Sequence, residues 1–185
     1  MSLLMSVLAA SIAVASPAGG MTCPGVVVNA EFKSAAAGED TRPAVTFDTK
    51  AIPVGSHVSV VERTGQDGTR VELRVQGVEA NRTFGAHVHT NACGTVPDAS
   101  GPHYQNLKDP KQPSTDPKYA NARNEVWLDL TTDKEGDGGA ESKVKWNFRA
   151  GEARSVVIHE HATETAPGRA GMAGERLACV DVPFK

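Results

Sequence analysis

The sequence has few aromatic residues, no cluster of basic residues and no apolar run long enough to cross a bilayer. Phe, Tyr and Trp make up 5% of its 185 residues, whereas Gly (18) and Pro (11) are frequent. This balance favours short strands and turns over helices. A net charge of −3 without a basic run argues against a nucleic-acid partner. The length suits one domain with a sizeable core.

The start of the chain differs from the rest, and we expect residues 1–20 to be a leader and residues 21–185 to form the folded domain. Residues 1–15 are apolar and uncharged, which suits a signal peptide and is too short for a transmembrane helix. The segment lacks the Lys or Arg with which signal peptides begin. Either the true start lies upstream or the segment is only an apolar tail. We expect export, to the extracellular space, the cell envelope or the periplasm.

Cysteine is scarce too, with three in the whole chain. Cys23, Cys93 and Cys179 allow one disulfide and leave one thiol over. In an exported protein the formation of a disulfide is the default.

The hydrophobic pattern predicts short strands separated by turns. Residues 65–68 (GQDG) and 133–138 (DKEGDG) are turn signals, and the proline-containing stretch 91–124 is a long loop of the kind that usually carries a function. The pattern indicates an all-β, antiparallel sandwich or Greek-key barrel of about eight strands. The predicted strands cover residues 25–33, 57–63, 70–78, 83–90, 125–132, 141–148, 154–159 and 177–182, with a further extended segment at 44–52.

Four of the six histidines form the candidate site. His87 and His89 lie two apart in GAHVHT, so on a strand both side chains point to one face. His103 and His159 lie further along the chain and would complete a set of four imidazoles, a ligand set without thiolate that suits copper. The alternative is that the His-x-His pair is a solvated polar face. His57 and His161 are expected to be structural or exposed.

The sequence around these histidines resembles the copper/zinc superoxide dismutase family from about residue 58 to residue 182. The resemblance rests on motifs in a specific order, which are GAHVHT (85–90), Cys93 followed by SGPH (100–103), TTDKEG (131–136), VVIHE (156–160) and AGERLAC (173–179). It implies a Greek-key β-barrel or sandwich. It also implies copper as cofactor and the dismutation of superoxide to dioxygen and hydrogen peroxide.

The resemblance implies a role for seven residues. Matched motif by motif, the copper ligands are His87, His89, His103 and His159, and the disulfide joins Cys93 to Cys179. Arg176 matches the arginine that attracts the superoxide anion, although it could instead be a loop-anchoring ion pair. His103 is the expected proton donor. The resemblance leaves the oligomeric state open.

The chain departs from the two-metal members of this family at the zinc site. No histidine occurs between His103 and His159, and Arg123 and Val126 stand where a zinc histidine and aspartate would fall. We therefore expect copper without zinc, as in the copper-only, secreted branch that the chain also resembles through its short loop after His159. In the two-metal members the histidine that matches His103 bridges copper and zinc. In the copper-only branch an acidic side chain can support this histidine in place of zinc.

Our candidate for this acidic residue is Glu125, which would orient the His103 ring. Asp109 and Asp116 are alternatives, and Glu125 could also be a solvated residue at a strand start. Two other functions stay open, namely a copper-binding or copper-storage β-domain with little or no dismutase activity and a β-domain without metal.

Overall fold

The computed structural model describes residues 25–35 and 43–185, which form an all-β sandwich. The leader expected over residues 1–20, and Cys23, lie outside the described residues. Within them, no helix is long and apolar enough to cross a membrane. One sheet has the order β1 (Val26–Glu31), β4 (His57–Gly65), β5 (Gly68–Gln76), β9 (Gly138–Val144). The other has the order β2 (Lys33–Ser34), β3 (Ala44–Thr46), β11 (Arg176–Asp181), β10 (Ser155–His159), β7 (Ala86–His89), and β6 (Thr83–Phe84) pairs with β8 (Leu130–Thr131).

The core lies between the two sheets. The apolar residues that alternate with polar ones along the sequence point into it. Val58 and Val60 of β4 point inward while their neighbours are partly exposed, as expected for a sheet with one solvated face. Strand β10 is buried along its whole length, which suits its central position between β11 and β7. Among the described strands all pairs are antiparallel except β2 and β3, which pair in parallel.

The strand predicted over residues 44–52 ends early, at Thr46, because Asp48 starts a turn. The Asp48 carboxylate accepts hydrogen bonds from the backbone N–H groups of Lys50 and Ala51. Such a local side-chain acceptor offers the backbone an alternative to the sheet.

The prediction for residues 125–132 is only partly correct, since regular strand there is limited to Leu130–Thr131. The preceding residues are extended and pair with β7 through a single bridge between Trp127 and His87.

Strand β9 also starts before the predicted residue 141. Gly138 approaches the backbone of Thr131 so closely that a Cβ atom would lie 3.0 Å from its carbonyl oxygen.

The long loop of residues 91–124 is fixed to the second sheet by a disulfide between Cys93 and Cys179. Cys93 follows the edge strand β7, and Cys179 lies in the interior strand β11, so the bond ties the start of the loop to the middle of the same sheet. The loop contains a one-turn 3-10 helix, Pro97–Ser100. His103 returns to the sheet by a bridge to His89.

Removing this disulfide is expected to lower the free energy of unfolding by about 4 to 5 kcal/mol. The bond closes a sequence separation of 86 residues, and a loop of that size loses much entropy in the unfolded chain when it is cross-linked. Urea unfolding of a Cys93→Ala, Cys179→Ala double variant would measure the loss. Cys23→Ser is the matched control, and an equal effect in both proteins would contradict the prediction.

Candidate metal centre

The fold brings the four predicted histidines together at one end of the sandwich. His87 and His89 lie on β7, His159 ends the neighbouring strand β10, and His103 joins from the long loop. One ring nitrogen from each lies within 4.8 Å of those of the other three. Among the described residues, this is the one group of three or more His, Cys, Asp or Glu side chains placed to share an ion.

The position of His159 depends on an irregularity in the sheet. Strand β10 pairs regularly with β11 up to Ile158, and the register then shifts before His159. A bulge at a strand end re-aims the next side chain. Because β10 also pairs with β7, this change of direction aims His159 at the two β7 histidines.

Three of the four rings carry their hydrogen on Nδ1, on the side facing away from the cluster. Nδ1 of His89 donates to the Gly101 carbonyl oxygen (2.9 Å), and Nδ1 of His103 donates to Glu125 Oε2 (2.9 Å). Nδ1 of His159 donates at 3.5 Å to the carbonyl oxygen of Gly174. Carbonyl and carboxylate oxygens are acceptors, so these bonds fix the tautomers and leave a lone pair on each Nε2.

The lone pairs face each other across a short distance. Nε2 of His89 and Nε2 of His159 lie 3.3 Å apart. Two imidazole nitrogens that bind one ion at about 2.0 to 2.1 Å lie no more than about 4.2 Å apart. These two rings are therefore close enough to be ligands of a single metal ion.

His87 is oriented in the opposite sense and completes the set. Its Nε2 lies 2.7 Å from Thr163 Oγ1, while its Nδ1 is buried and has no hydrogen-bond partner among the described residues. A buried ring nitrogen without a partner is costly and calls for an explanation. A metal ion bound by Nδ1 would supply one, so the residues fit a four-imidazole metal site.

Burial keeps these imidazoles in the neutral form that binds metals. It lowers the pKa of His87 and of His89 well below the usual value, and the neighbouring imidazole of His103 lowers both further. The pKa of His159 falls to about 3, again through burial first and His103 second. Neutral imidazoles can bind a cation at neutral pH without first losing a proton.

The structure places Glu125 directly behind His103. The Glu125 side chain is 1% exposed, in contrast to the solvated position that the sequence also allowed. Besides His103, it accepts hydrogen bonds from Trp127 Nε1 (2.7 Å) and Gln105 Nε2 (2.7 Å). The two alternatives bond elsewhere, Asp109 to Ser114 Oγ and a loop N–H, and Asp116 to a loop N–H.

Gln105, Trp127 and Thr163 were missed by the sequence reasoning. Gln105 follows His103 by two residues and Trp127 follows Glu125 by two, so the alternation of an extended chain places each on its neighbour's face. That period is a signal that could have found them. Thr163 has no comparable signal, because it reaches His87 from a distant loop.

Arg176 lies beside the cluster at the start of β11, anchored to the 3-10 helix. Its Nη1 donates to Ser100 Oγ (2.9 Å) and the Pro97 carbonyl oxygen (3.2 Å), and Asp98 Oδ1 lies 3.9 Å from Nη1. Burial lowers the pKa of the Arg176 guanidinium and Asp98 opposes this shift, but arginine stays protonated in proteins. The ion-pair alternative is weak, because Asp98 is almost fully exposed and distant.

A cavity of about 380 Å³ connects this region to solvent. His103, His159 and Arg176 line it, with residues 112–115 on one wall and residues 171–175 on the other. His87 and His89 are fully buried beneath it. An anion entering the cavity would therefore meet Arg176 and the His103 side of the cluster.

The two remaining histidines do not join the cluster. His161 is exposed and hydrogen-bonds to the Ala162 carbonyl oxygen. His57 is exposed and lines a larger groove of about 640 Å³ that contains none of the four clustered histidines.

Comparisons with known proteins agree with this fold. The family model described as copper/zinc superoxide dismutase (SODC) matches residues 54–182. No curated protein sequence matches the chain. The fold is similar to that of the Cu/Zn superoxide dismutase from Brucella abortus, with a TM-score of 0.54 and 17% identity over 85% of this chain and 99% of that one. It is also similar to an SOD-like protein from Bacillus subtilis, with a TM-score of 0.56 and 12% identity over 88% and 100% of the two chains.

Acid is expected to destabilise the metal-free protein through its buried histidines. In the unfolded chain His159 binds a proton at about pH 6.5, but in the folded protein only at about pH 3. Between these values the unfolded state holds the extra proton, so stability falls with falling pH by about 1.4 kcal/mol per pH unit for this residue.

The measurement is urea unfolding of metal-free protein between pH 6 and pH 4.5, for the wild type and for His159→Gln. The variant should show the shallower pH dependence, whereas His57→Gln, at an exposed position, should keep the wild-type slope. Equal slopes for all three proteins would contradict this account.

Proposed function

Because the chain belongs to the copper/zinc superoxide dismutase family, we propose that it is a copper-dependent superoxide dismutase that works with copper alone. The observation that carries the proposal is a cluster of four imidazoles, three buried and one (His103) partly exposed, whose ligand nitrogens all lie within 4.8 Å of one another. This cluster lies beside a cavity with an arginine in its wall.

The ligand set favours copper or zinc over magnesium, calcium or manganese. All four ligands are imidazoles, and the group contains neither a thiolate nor a carboxylate. Carboxylate and water ligands suit magnesium, calcium or manganese, whereas imidazole nitrogens suit copper and zinc. The choice of copper follows from the family and is consistent with these ligands.

Three observations support the absence of zinc. A ring that bridges two metals must offer both nitrogens, but Nδ1 of His103 is bonded to Glu125. Val126, at the position expected for the zinc aspartate, is a core residue that is 1% exposed. Arg123, at the position expected for a zinc histidine, is exposed and accepts a hydrogen bond through its backbone from Trp146.

In the proposed enzyme, different residues of the chain bind the substrate and transfer the proton. Copper, when bound, supplies the one-electron chemistry that oxidises one superoxide to dioxygen and reduces another to peroxide. Arg176 holds the anion with its fixed positive charge and directional donors. His103, whose ring is partly exposed to the cavity, can carry a proton toward the product at Nε2 when that nitrogen is not bound to copper. Glu125 keeps that ring in place by accepting its Nδ1 hydrogen.

We also propose that the protein is exported, as a domain of residues 21–185 released from a leader of residues 1–20. The apolar segment at the start of the chain supports this, as does the Cys93–Cys179 disulfide. Disulfides persist in oxidising compartments and are rare in the cytosol.

The first test is metal content together with superoxide turnover on one preparation. We expect protein reconstituted with equal copper and zinc to hold one copper and no zinc, and to remove superoxide rapidly. Mass spectrometry and a superoxide assay measure the two quantities. Stoichiometric zinc would show that the copper-only proposal is wrong, and one copper without turnover would favour the copper-storage alternative.

Arg176 variants separate these two functions further. For a dismutase, Arg176→Ala should keep its copper and lose kcat/KM by about 10- to 1000-fold, since attraction of a charged substrate is worth that much. Arg176→Lys, which keeps the charge, should recover part of the loss. A storage protein would be indifferent to both changes.

Glu125→Gln is expected to weaken copper binding by about 10- to 100-fold, the usual effect of losing a partner that orients a ligand histidine. Three N–H donors point at this carboxylate, and an amide would present its own N–H group to one of them. Competition with a chelator measures the affinity. Asp116→Asn is the control, because Asp116 lies in the preceding loop and its carboxylate accepts the Lys118 N–H instead of bonding to His103. Equal affinities in the two variants would show that Glu125 does not support the site.

A further inference from the structure

The fourth histidine is held by a pair of residues that the ligand set does not include. The His87 ring bonds through Nε2 to Thr163 Oγ1 at 2.7 Å, and Thr163 Oγ1 lies 2.6 Å from Asp129 Oδ1. Thr163 comes from the loop after β10 and Asp129 from the segment before β8. We propose that Asp129, acting through Thr163, fixes the tautomer of His87 and so determines which of its nitrogens is offered to the metal.

The direction of the two hydrogen bonds follows from the acceptors. A carboxylate oxygen can only accept, so the Thr163 hydroxyl must donate its hydrogen to Asp129. The hydroxyl oxygen is then an acceptor toward His87, and the ring must carry its hydrogen on Nε2. The lone pair is left on Nδ1, the buried atom that has no other partner among the described residues.

The Asp129 carboxylate is itself held by two backbone N–H groups. Its Oδ2 accepts the backbone N–H of Thr163 at 2.7 Å, and its Oδ1 accepts that of Ala86, the residue before His87, at 3.3 Å. The carboxylate therefore ties strand β7 to the loop that carries Thr163. It holds the position of the hydroxyl as well as its direction.

This relay gives His87 the opposite tautomer to its three partners. His89, His103 and His159 donate through Nδ1 and keep Nε2 free, whereas His87 donates through Nε2. Without the relay either nitrogen of a neutral imidazole can carry the hydrogen. Every molecule with the other tautomer would have an N–H group at Nδ1, where the metal has to bind. Asp129 and Thr163 are thus positioning residues, and the inference rests on the proposed copper site.

The decisive measurement uses metal-free protein labelled with nitrogen-15 in histidine, in which long-range proton–nitrogen correlations identify the protonated ring nitrogen. In the wild type, His87 should be in the Nε2–H form. Thr163→Val, which keeps the shape and removes the hydroxyl, should give a mixture of tautomers. Thr163→Ser, the matched control, keeps the hydroxyl and should keep the wild-type form.

Asp129→Asn provides a second, independent variant. Three donors point at the Asp129 carboxylate, the Thr163 hydroxyl and the Ala86 N–H at Oδ1 and the Thr163 N–H at Oδ2, so the N–H group of an amide would oppose at least one of them. The relay to His87 is then weakened, and we expect a mixture of tautomers in place of the pure Nε2–H form. A purely structural anchor for the loop would not change the tautomer.

Copper affinity supplies the readout on the bound state. We expect Thr163→Val to bind copper about 10- to 100-fold more weakly than the wild type, and Thr163→Ser to stay within about threefold. The proposal is overturned if Thr163→Val and Asp129→Asn both keep the Nε2–H form, or if Thr163→Ser loses as much affinity as Thr163→Val. A wild type that binds no copper would instead refute the proposed function, since the tautomers are measured without metal.

Discussion

The site depends on one constraint, which is that four clustered imidazoles, three of them buried, must turn their lone pairs toward a common point. Lone pairs that face each other repel unless a cation lies between them, and burial prevents protonation from supplying the charge. Each ring therefore needs an acceptor for its outward N–H group. These acceptors are the carbonyl oxygens of Gly101 and Gly174, the Glu125 carboxylate and the Thr163 hydroxyl.

None of these acceptors lies within a regular strand of the two main sheets, although three of the four rings do. The sheets fix the backbone positions of His87, His89 and His159, and the loops fix the orientation of their rings. This division explains why the loops are held so firmly. The disulfide ties the first loop to β11, and Asp129 ties the second loop to β7. Rigid strands with functional loops are a common arrangement in β-proteins.

The features that could be predicted from the sequence are those that repeat at short range. Alternation predicted the β4–β5 hairpin and the shared face of His87 and His89, and the motifs indicated the family. The early end of β3 at Asp48 and the single bridge at Trp127 were not predicted, because each reflects one local hydrogen bond or contact rather than a period. Thr163 could not be assigned from the sequence at all, since its role requires a distant loop and Asp129 to meet beside His87.

A carboxylate in place of a second metal, as we propose for this chain, changes the chemistry open to His103. A ring that binds two cations must lose both of its N–H hydrogens and carries a negative charge. Glu125 instead requires the Nδ1 hydrogen to stay, so the His103 ring in the proposed site is a neutral imidazole. A proton taken up at Nε2 would leave a zinc-bound ring neutral, whereas in the proposed site it would place a positive charge beside the buried Glu125 carboxylate, which also accepts hydrogen bonds from Gln105 and Trp127. The group behind His103 therefore sets the charge of the ring when it carries a proton to the cavity.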